Sequence, residues 1–328
     1  MKKFWLIALI TLFAVIATAC GSDDSDDSKG SSSDDKKDSK EVTINQHIVN
    51  ERADMDEKYK VTLDANPKKV AVFDFGMLDT LDKLGIEVEG VSQNTIPPYL
   101  DKYKDDKYTN IGSLKEPDFE ALSEMAPDVI LISGRQASQY DELSKIAPTV
   151  YLGVDSENYM ESFKENMDKV GKIFTDKQDD VKKEVKKIED QIKETKEKAE
   201  KSGEKALIVL ANDDKMSAYG PKSRFGIIHD VLGVEAADTK IEASTHGQNI
   251  SSEYIKKQNP DILYVVDRGT AIGEGEPAKE VVENKVVKTT DAYKNDKIVY
   301  LDPYLWYLAG GGLESVPKMI DEINESLD

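Results

Sequence analysis

PDVILISGR, residues 127–135, returns as PDILYVVDR at residues 260–268, each with an arginine seven residues after the aspartate. Both apolar runs are short, continuous and rich in β-branched residues, so they read as strands of a parallel sheet covered on both faces. KVAVFDF at 69–75 and KALIVL at 205–210 are runs of the same kind. Helical stretches alternate with them at 77–84, 118–126, 157–174, 226–232 and 251–258, an order that predicts an α/β fold. Leu84-Gly85-Ile86 and Leu232-Gly233-Val234 also repeat, with glycine where a helix closes in the left-handed conformation. Two Rossmann-like lobes with mostly parallel sheets are therefore expected, at residues 42–174 and 204–328. Ligands of open parallel sheets bind beyond the carboxyl ends of the strands, where Arg135 and Arg268 fall.

Residues 175–203 join the lobes. Thr175 and Gln178 have capping-box spacing, and Val181, Val185, Ile188, Ile192 and Ala199 form one narrow apolar stripe among Lys and Glu. A single helix of roughly 27 residues follows, about 40 Å long at 1.5 Å per residue. Its stripe suits either the protein's own lobes or a coiled-coil dimer seam, since the spacing is close to a heptad. A helical strut between lobes also predicts that closure on a ligand is small.

The N-terminus reads as an address. Lys2 and Lys3 precede an apolar run from Phe4 to Ala17 that is too short for a membrane span and ends in small residues before Cys20. Residues 1–19 are expected to be an export signal, and the junction resembles a bacterial lipobox with Cys20 as the acylated residue, although Ala17 stands where leucine is commoner. Secretion with a free thiol is the alternative. Cys20 is the only cysteine, which excludes an intramolecular disulfide. Residues 20–41, mostly Ser, Asp, Lys and Gly, carry little apolar surface and read as a disordered acidic tether. A formal charge of −20 argues against nucleic acid and against direct adhesion to an anionic membrane, so attachment falls to the lipid.

Arginine is scarce: four against forty lysines. Arg135, Arg224 and Arg268 fall where strands or loops open toward the interlobe space, whereas Arg52 reads as a surface charge. A guanidinium is planar and always charged, with five fixed donors, and so suits a large delocalised anion better than lysine does. The three arginines are candidates for one anionic ligand, against the alternative of scattered salt bridges. Aromatic residues could stack on flat rings of that ligand: Trp306 first, then Tyr219 and Tyr99, with Tyr304, Tyr307 and Phe75 nearby. Gln136 and Asn94 are candidate neutral donors, and His246 sits in a loop that could approach the ligand.

The strings SRFGIIHDVLG, DILYVVDRG and LDPYLWYLAGGGLES, together with the lipobox, acidic tether and two-lobe plan, resemble the iron-siderophore-binding lipoproteins of Gram-positive ABC importers. These are class III binding proteins, whose lobes are joined by one long helix, and the likeness is greatest to petrobactin and catecholate receptors. The resemblance implies a monomeric receptor on the outer face of the cell membrane, with Arg135, Arg224 and Arg268 holding a ferric siderophore. Iron is then held by the siderophore, and the protein needs no cofactor or metal site of its own. Delivery to a permease and its ATPase is implied too, with Glu116 at the family's N-lobe docking position. The C-lobe counterpart aligns near Gly226, with Asp230 and Glu235 the nearest acids. For Glu116 the alternative is a helix-start acid favoured by the macrodipole.

Other chemistries find less support. His47, His229 and His246 lack the paired spacing of a zinc or manganese site. Haem capture through Met77 or Met216 with His246 is an alternative, because haem receptors share the lobe plan. A non-transport surface protein or enzyme reusing the fold is another, but there is no G-x-S-x-G elbow and no catalytic cysteine. Gly310-Gly311-Gly312 lacks the Lys-Ser/Thr of a phosphate loop and reads as a turn before the last helix.

Overall fold

The computed structural model describes residues 40–50, 55–275 and 277–328. The expected signal, Cys20, nearly all of the tether and Arg52 lie outside the described residues. At the tether's end, Glu41 already pairs with Asp64 in a strand, one residue earlier than expected.

Each lobe has its own sheet. In the first, β3 (Val70–Val72), β4 (Gly90–Val91), β5 (Thr109–Asn110), β6 (Val129–Ile132) and β7 (Thr149–Tyr151) run parallel in the order β5-β4-β3-β6-β7. All four residues of β6 are buried, as its continuous apolar run requires. The run at 69–75 is cut short after Val72 because Asp74 caps the helix Phe75–Lys83, accepting from the Met77 N–H at 2.9 Å. In the second lobe, β8 (Lys205–Asn212) and β12 (Ile262–Asp267) pair in parallel at the centre, flanked by β13 (Ile298–Leu301) on one side and β9 (Lys215–Tyr219) and β11 (Gln248–Ile250) on the other. β10 (Glu235–Ala236) pairs with the start of β8. β8 turns straight back into antiparallel β9 through Asp213, whose φ of 52° is one that aspartate tolerates in a tight turn.

Preceding both sheets is an antiparallel hairpin of β1 (Glu41–Asn50) and β2 (Met55–Asp64) that the strand patterns above do not include. Ile44, Ile48, Val61 and Leu63 are its buried side chains. Gln46, only 5% exposed, shares that face: its Nε2 donates to the Thr149 carbonyl at 3.1 Å, and its Oε1 accepts from the Tyr151 N–H at 2.7 Å. The side-chain amide thus occupies the open edge of β7 as a neighbouring strand would, and bolts the hairpin there.

The connecting helix spans Gln178–Ser202 and closes at Gly203 in the left-handed conformation. Its expected capping box does not form. Thr175 begins a separate 3₁₀ turn, and its hydroxyl accepts from Asn66 Nδ2 at 2.9 Å. Val181, Ile188 and Ala199 are buried in the protein's own core, with Val185 and Ile192 packed against it, so the stripe is spent within the chain and not on a coiled-coil seam. The helix lies against Tyr159–Ile173 of the first lobe and the last helix, Ser315–Ser326, to which Thr195 and Gln191 hydrogen-bond through Asn324 and Asp321.

A second bridge closes the far end of the chain onto the first lobe. Asp79, 1% exposed in the helix Phe75–Lys83, accepts from the Glu314 N–H (3.1 Å), the Ser315 N–H (3.2 Å) and the Tyr99 hydroxyl (3.0 Å). Thr80 Oγ1 accepts from the Leu313 N–H at 2.9 Å. The start of the last helix is therefore capped from the opposite lobe. The turn glycines permit the approach: a Cβ on Gly76 would lie 2.2 Å from the Ala309 oxygen, and one on Gly312 would lie 1.9 Å from Asp79 Oδ1.

Candidate ligand-binding site

Between the lobes lies a cleft of about 1690 Å³. Arg135 enters it three residues beyond β6, Arg268 directly beyond β12, and Arg224 from the loop that follows β9. The carboxyl ends of the two central strands thus deliver the first pair, as the repeat implies.

All three guanidiniums converge on Tyr307. Arg135 Nη2 and Arg224 Nη2, one from each lobe, donate to the same Tyr307 carbonyl at 2.8 and 2.7 Å. Arg268 Nε donates to the Tyr307 hydroxyl at 2.9 Å, and its Nη1 donates to Asn212 Oδ1. The Arg224 guanidinium also stacks 4.2 Å from the centre of the Tyr307 ring. Tyr307 sits in a π-helical turn, Tyr304–Ala309, near the end where backbone carbonyls lack partners within the turn.

The electrostatics describe a site short of negative charge. Burial, and then the like charge of Arg135, lower Arg224 to about 10. Burial alone would push the Tyr307 phenol up, but Arg224, the hydrogen bond from Arg268 and the remaining guanidinium charges hold it below the ordinary tyrosine range. None of the three arginines pairs with a carboxylate among the described residues, in a chain with 64 acids against 44 bases. Scattered salt bridges are thereby replaced by one cationic cluster held on neutral oxygens. Asp74, also lining the cleft, is pushed up by burial and pulled back by Ser133, Met77 and Arg135.

The periplasmic binding protein family profile matches residues 70–305. The chain is a periplasmic binding protein. It is 52% identical over 330 residues to the petrobactin-binding protein YclQ of Bacillus subtilis (strain 168), covering 100% of both chains. The crystal structure of that protein superposes with a TM-score of 0.81 at 53% identity, over 87% of this chain and 99% of the other. The catecholate-siderophore binding protein VctP of Vibrio cholerae matches at 34% identity and a TM-score of 0.78, over 86% and 100% of the two chains. The siderophore-binding protein BauB, solved with ferric iron and two molecules of acinetobactin, matches at 31% identity and 0.79, over 88% and 99%. These likenesses make the chain a substrate-binding protein of the two-lobe, long-helix class and not an enzyme.

In this periplasmic binding protein the other candidate residues fall unevenly. Trp306 lines the cleft but is 3% exposed, its indole N–H donating to Glu322 at 2.6 Å, so it belongs mostly to the wall. Tyr219 is buried against Phe225 with its hydroxyl on the His246 carbonyl, Tyr99 serves the Asp79 bridge, and Phe75 is core. Gln136 is fully buried, accepting from the Ser133 N–H and donating to the Leu114 carbonyl, while Asn94 is exposed. None of these five lines the cleft, and neither does Tyr304. Tyr307 and His246 do. Met77 and Met216 are buried away from it, so neither of the methionines considered for haem capture lines the cleft.

Glu116 is exposed in a turn where its N–H donates to Ser113 Oγ at 3.0 Å. Asp118 is the cap of the following helix, and Glu116 lies two residues before that cap. Of the two C-lobe acids, Asp230 accepts from the Lys222 N–H at 2.5 Å and Glu235 pairs with Lys205 at 3.1 Å. Both therefore have local work.

Proposed function

We infer that this protein is the extracellular receptor of an ABC importer for a ferric catecholate-type siderophore of the petrobactin kind. The observation that carries the reading is the convergence of Arg135, Arg224 and Arg268 on Tyr307 without a carboxylate among them. A hexadentate ferric catecholate carries about three negative charges spread over its oxygens, and three guanidiniums in a partly desolvated cleft offset them far better than they would in bulk water. A neutral hydroxamate complex gains little from such a site. Full-length likeness to a petrobactin-binding protein supports the ligand class. Tyr307 joins the arginines as a ligand-site residue, and Trp306 reports on the cleft as part of its wall.

The receptor is tethered at the cell surface by acylated Cys20 and acts as a monomer, since the stripe of its connecting helix is buried within the chain. It hands its ligand to a permease and its ATPase, with Glu116 offered to the permease from the first lobe. Trp306 is the only tryptophan once residues 1–19 are removed, so its fluorescence tests the reading. Ferric catecholates are expected to quench it saturably, while ferric hydroxamates and haem do not. Equal affinity for a hydroxamate, or no response to any catecholate, contradicts the assignment.

A further inference from the structure

The cleft extends well past the arginines, and its outer wall is the β1–β2 hairpin. In the hairpin register Asn45 faces Lys60 and His47 faces Lys58, and strand alternation puts all four on the face opposite the buried Ile44, Gln46 and Ile48. These four residues line the same cavity as Arg135 and Arg268. Two positions apart on one strand, the lysines stand about 7 Å from each other at their Cα atoms. Neither lysine side chain has a hydrogen-bond or ion-pair partner among the described residues. Asp56, two residues before Lys58 on the same strand and face, is taken by His47. Gln46 fixes this face relative to the cleft by binding the edge of β7 from behind.

We propose that this hairpin face is a second anion subsite, in which Lys58 and Lys60 receive a carboxylate that the ligand carries outside its iron-binding oxygens. The inference rests on the reading of the cleft as a ferric siderophore site and adds a determinant of which siderophore is preferred. Two further observations carry it. The cavity, about 1690 Å³, exceeds the roughly 300–1,000 Å³ that encloses an ordinary small ligand, so the arginine cluster accounts for only part of it. The cation types also divide sensibly. Arginine, weakly hydrated and planar, stands at the partly buried centre for delocalised oxygens, whereas strongly hydrated lysines on flexible stems stand at the exposed wall, where a peripheral carboxylate stays partly in water.

The test compares two ferric complexes with the same iron core: tris-catecholate, and tris-(3,4-dihydroxybenzoate), which adds carboxylates remote from the iron. Both are titrated with the catechol in excess, at a mildly alkaline pH where their visible spectra report three catechols per iron. Wild-type protein is expected to bind the benzoate complex more tightly. Exposed charge pairs are individually weak, so the K58Q/K60Q variant should lose about tenfold in affinity for the benzoate complex and less than twofold for the plain catecholate. K256Q/K257Q, on the outer helix Ser252–Gln258, makes the same change in net charge and should alter neither. If K58Q/K60Q weakens both complexes equally, or neither, the subsite is wrong. Failure of wild-type protein to bind either complex overturns the siderophore reading and the subsite with it. That result is distinguishable, because the subsite fails alone only when wild type binds both complexes and the variant treats them alike. Both lysines are exposed, so the variant should keep its melting temperature.

Discussion

Three guanidiniums around one tyrosine make each arginine testable separately. If each meets a desolvated charge of the ligand, Arg135→Ala, Arg224→Ala and Arg268→Ala should each weaken ferric catecholate binding by about 2 to 5 kcal/mol. Arg52→Ala should change nothing, and four equal effects by fluorescence titration would dissolve the grouping. Tyr307 makes a separate prediction. Its phenol is held below the ordinary range, so its contribution to stability grows as pH rises through its own value toward that of a free tyrosine, and is lost as pH falls back. In an absorbance titration one phenolate should appear ahead of the others and vanish in Tyr307→Phe; an unchanged curve rules this out. Arg135 and Arg268 are legible in the sequence because the repeat puts both at equivalent strand ends. Tyr307 is not separable there from Tyr304 and Trp306, since the π-helical turn puts Tyr307 among the guanidiniums, leaves Trp306 in the cleft wall and turns Tyr304 out of the cleft.

Among the elements, the bridge from the helix Phe75–Lys83 to the last helix is the one that sequence conceals. Asp79 reads as a surface acid on an amphipathic helix, and only docking of residues 312–315 buries it. Burial raises its carboxyl to about 7, against the opposing hydrogen bonds from Ser315, Glu314 and Tyr99. With an unfolded value near 3.9, the native state binds the extra proton between about pH 4 and 7. The stabilisation is complete at the acid end and disappears as pH rises through 7. Ligand-free wild type should therefore lose about 2 kcal/mol between pH 5 and pH 8, a change absent in Asp79→Asn. Denaturant titrations at the two pH values decide it, and a parallel pH response in both proteins counts against the assignment. Gly76→Ala forces a methyl group into the Ala309 carbonyl and should destabilise by about 1–3 kcal/mol while weakening ligand binding, because the same turn carries Tyr307. Binding left intact alongside the stability loss would show the turn to be independent of the bridge. The hairpin is half legible: Ile44, Ile48, Val61 and Leu63 alternate, but Gln46 on the inward face interrupts the pattern. Thr175 has the residue types of a capping box, and a distant asparagine claims its hydroxyl instead.

For the molecule as a whole, the connecting helix and the Asp79 bridge brace the lobes at two separate places. A structure hinged at one flexible loop would close widely, whereas this one is expected to close little. Small-angle scattering with and without ferric catecholate should show the radius of gyration changing by less than about 1 Å. A contraction of several ångströms would mean that the bridge opens. The charge distribution has the same two-level character. The chain as a whole repels anions at −20, yet its cleft gathers three arginines together with Lys58 and Lys60, which have no partner among the described residues, so the attraction for an anionic ligand is local.

By itself the sequence determined the α/β plan, the two-lobe repeat, the long connecting helix and two corners of the arginine cluster. These follow from periodicity, strand-end position and residue chemistry, which are local properties of the chain. Tertiary structure alone decided that Tyr307 is the hub, that Asp79 caps a helix of the other lobe, and that the hairpin lysines share a cavity with the arginines. Each of those joins residues far apart in the chain, and whether such groups meet depends on how lobes and hairpin dock, which no local pattern encodes.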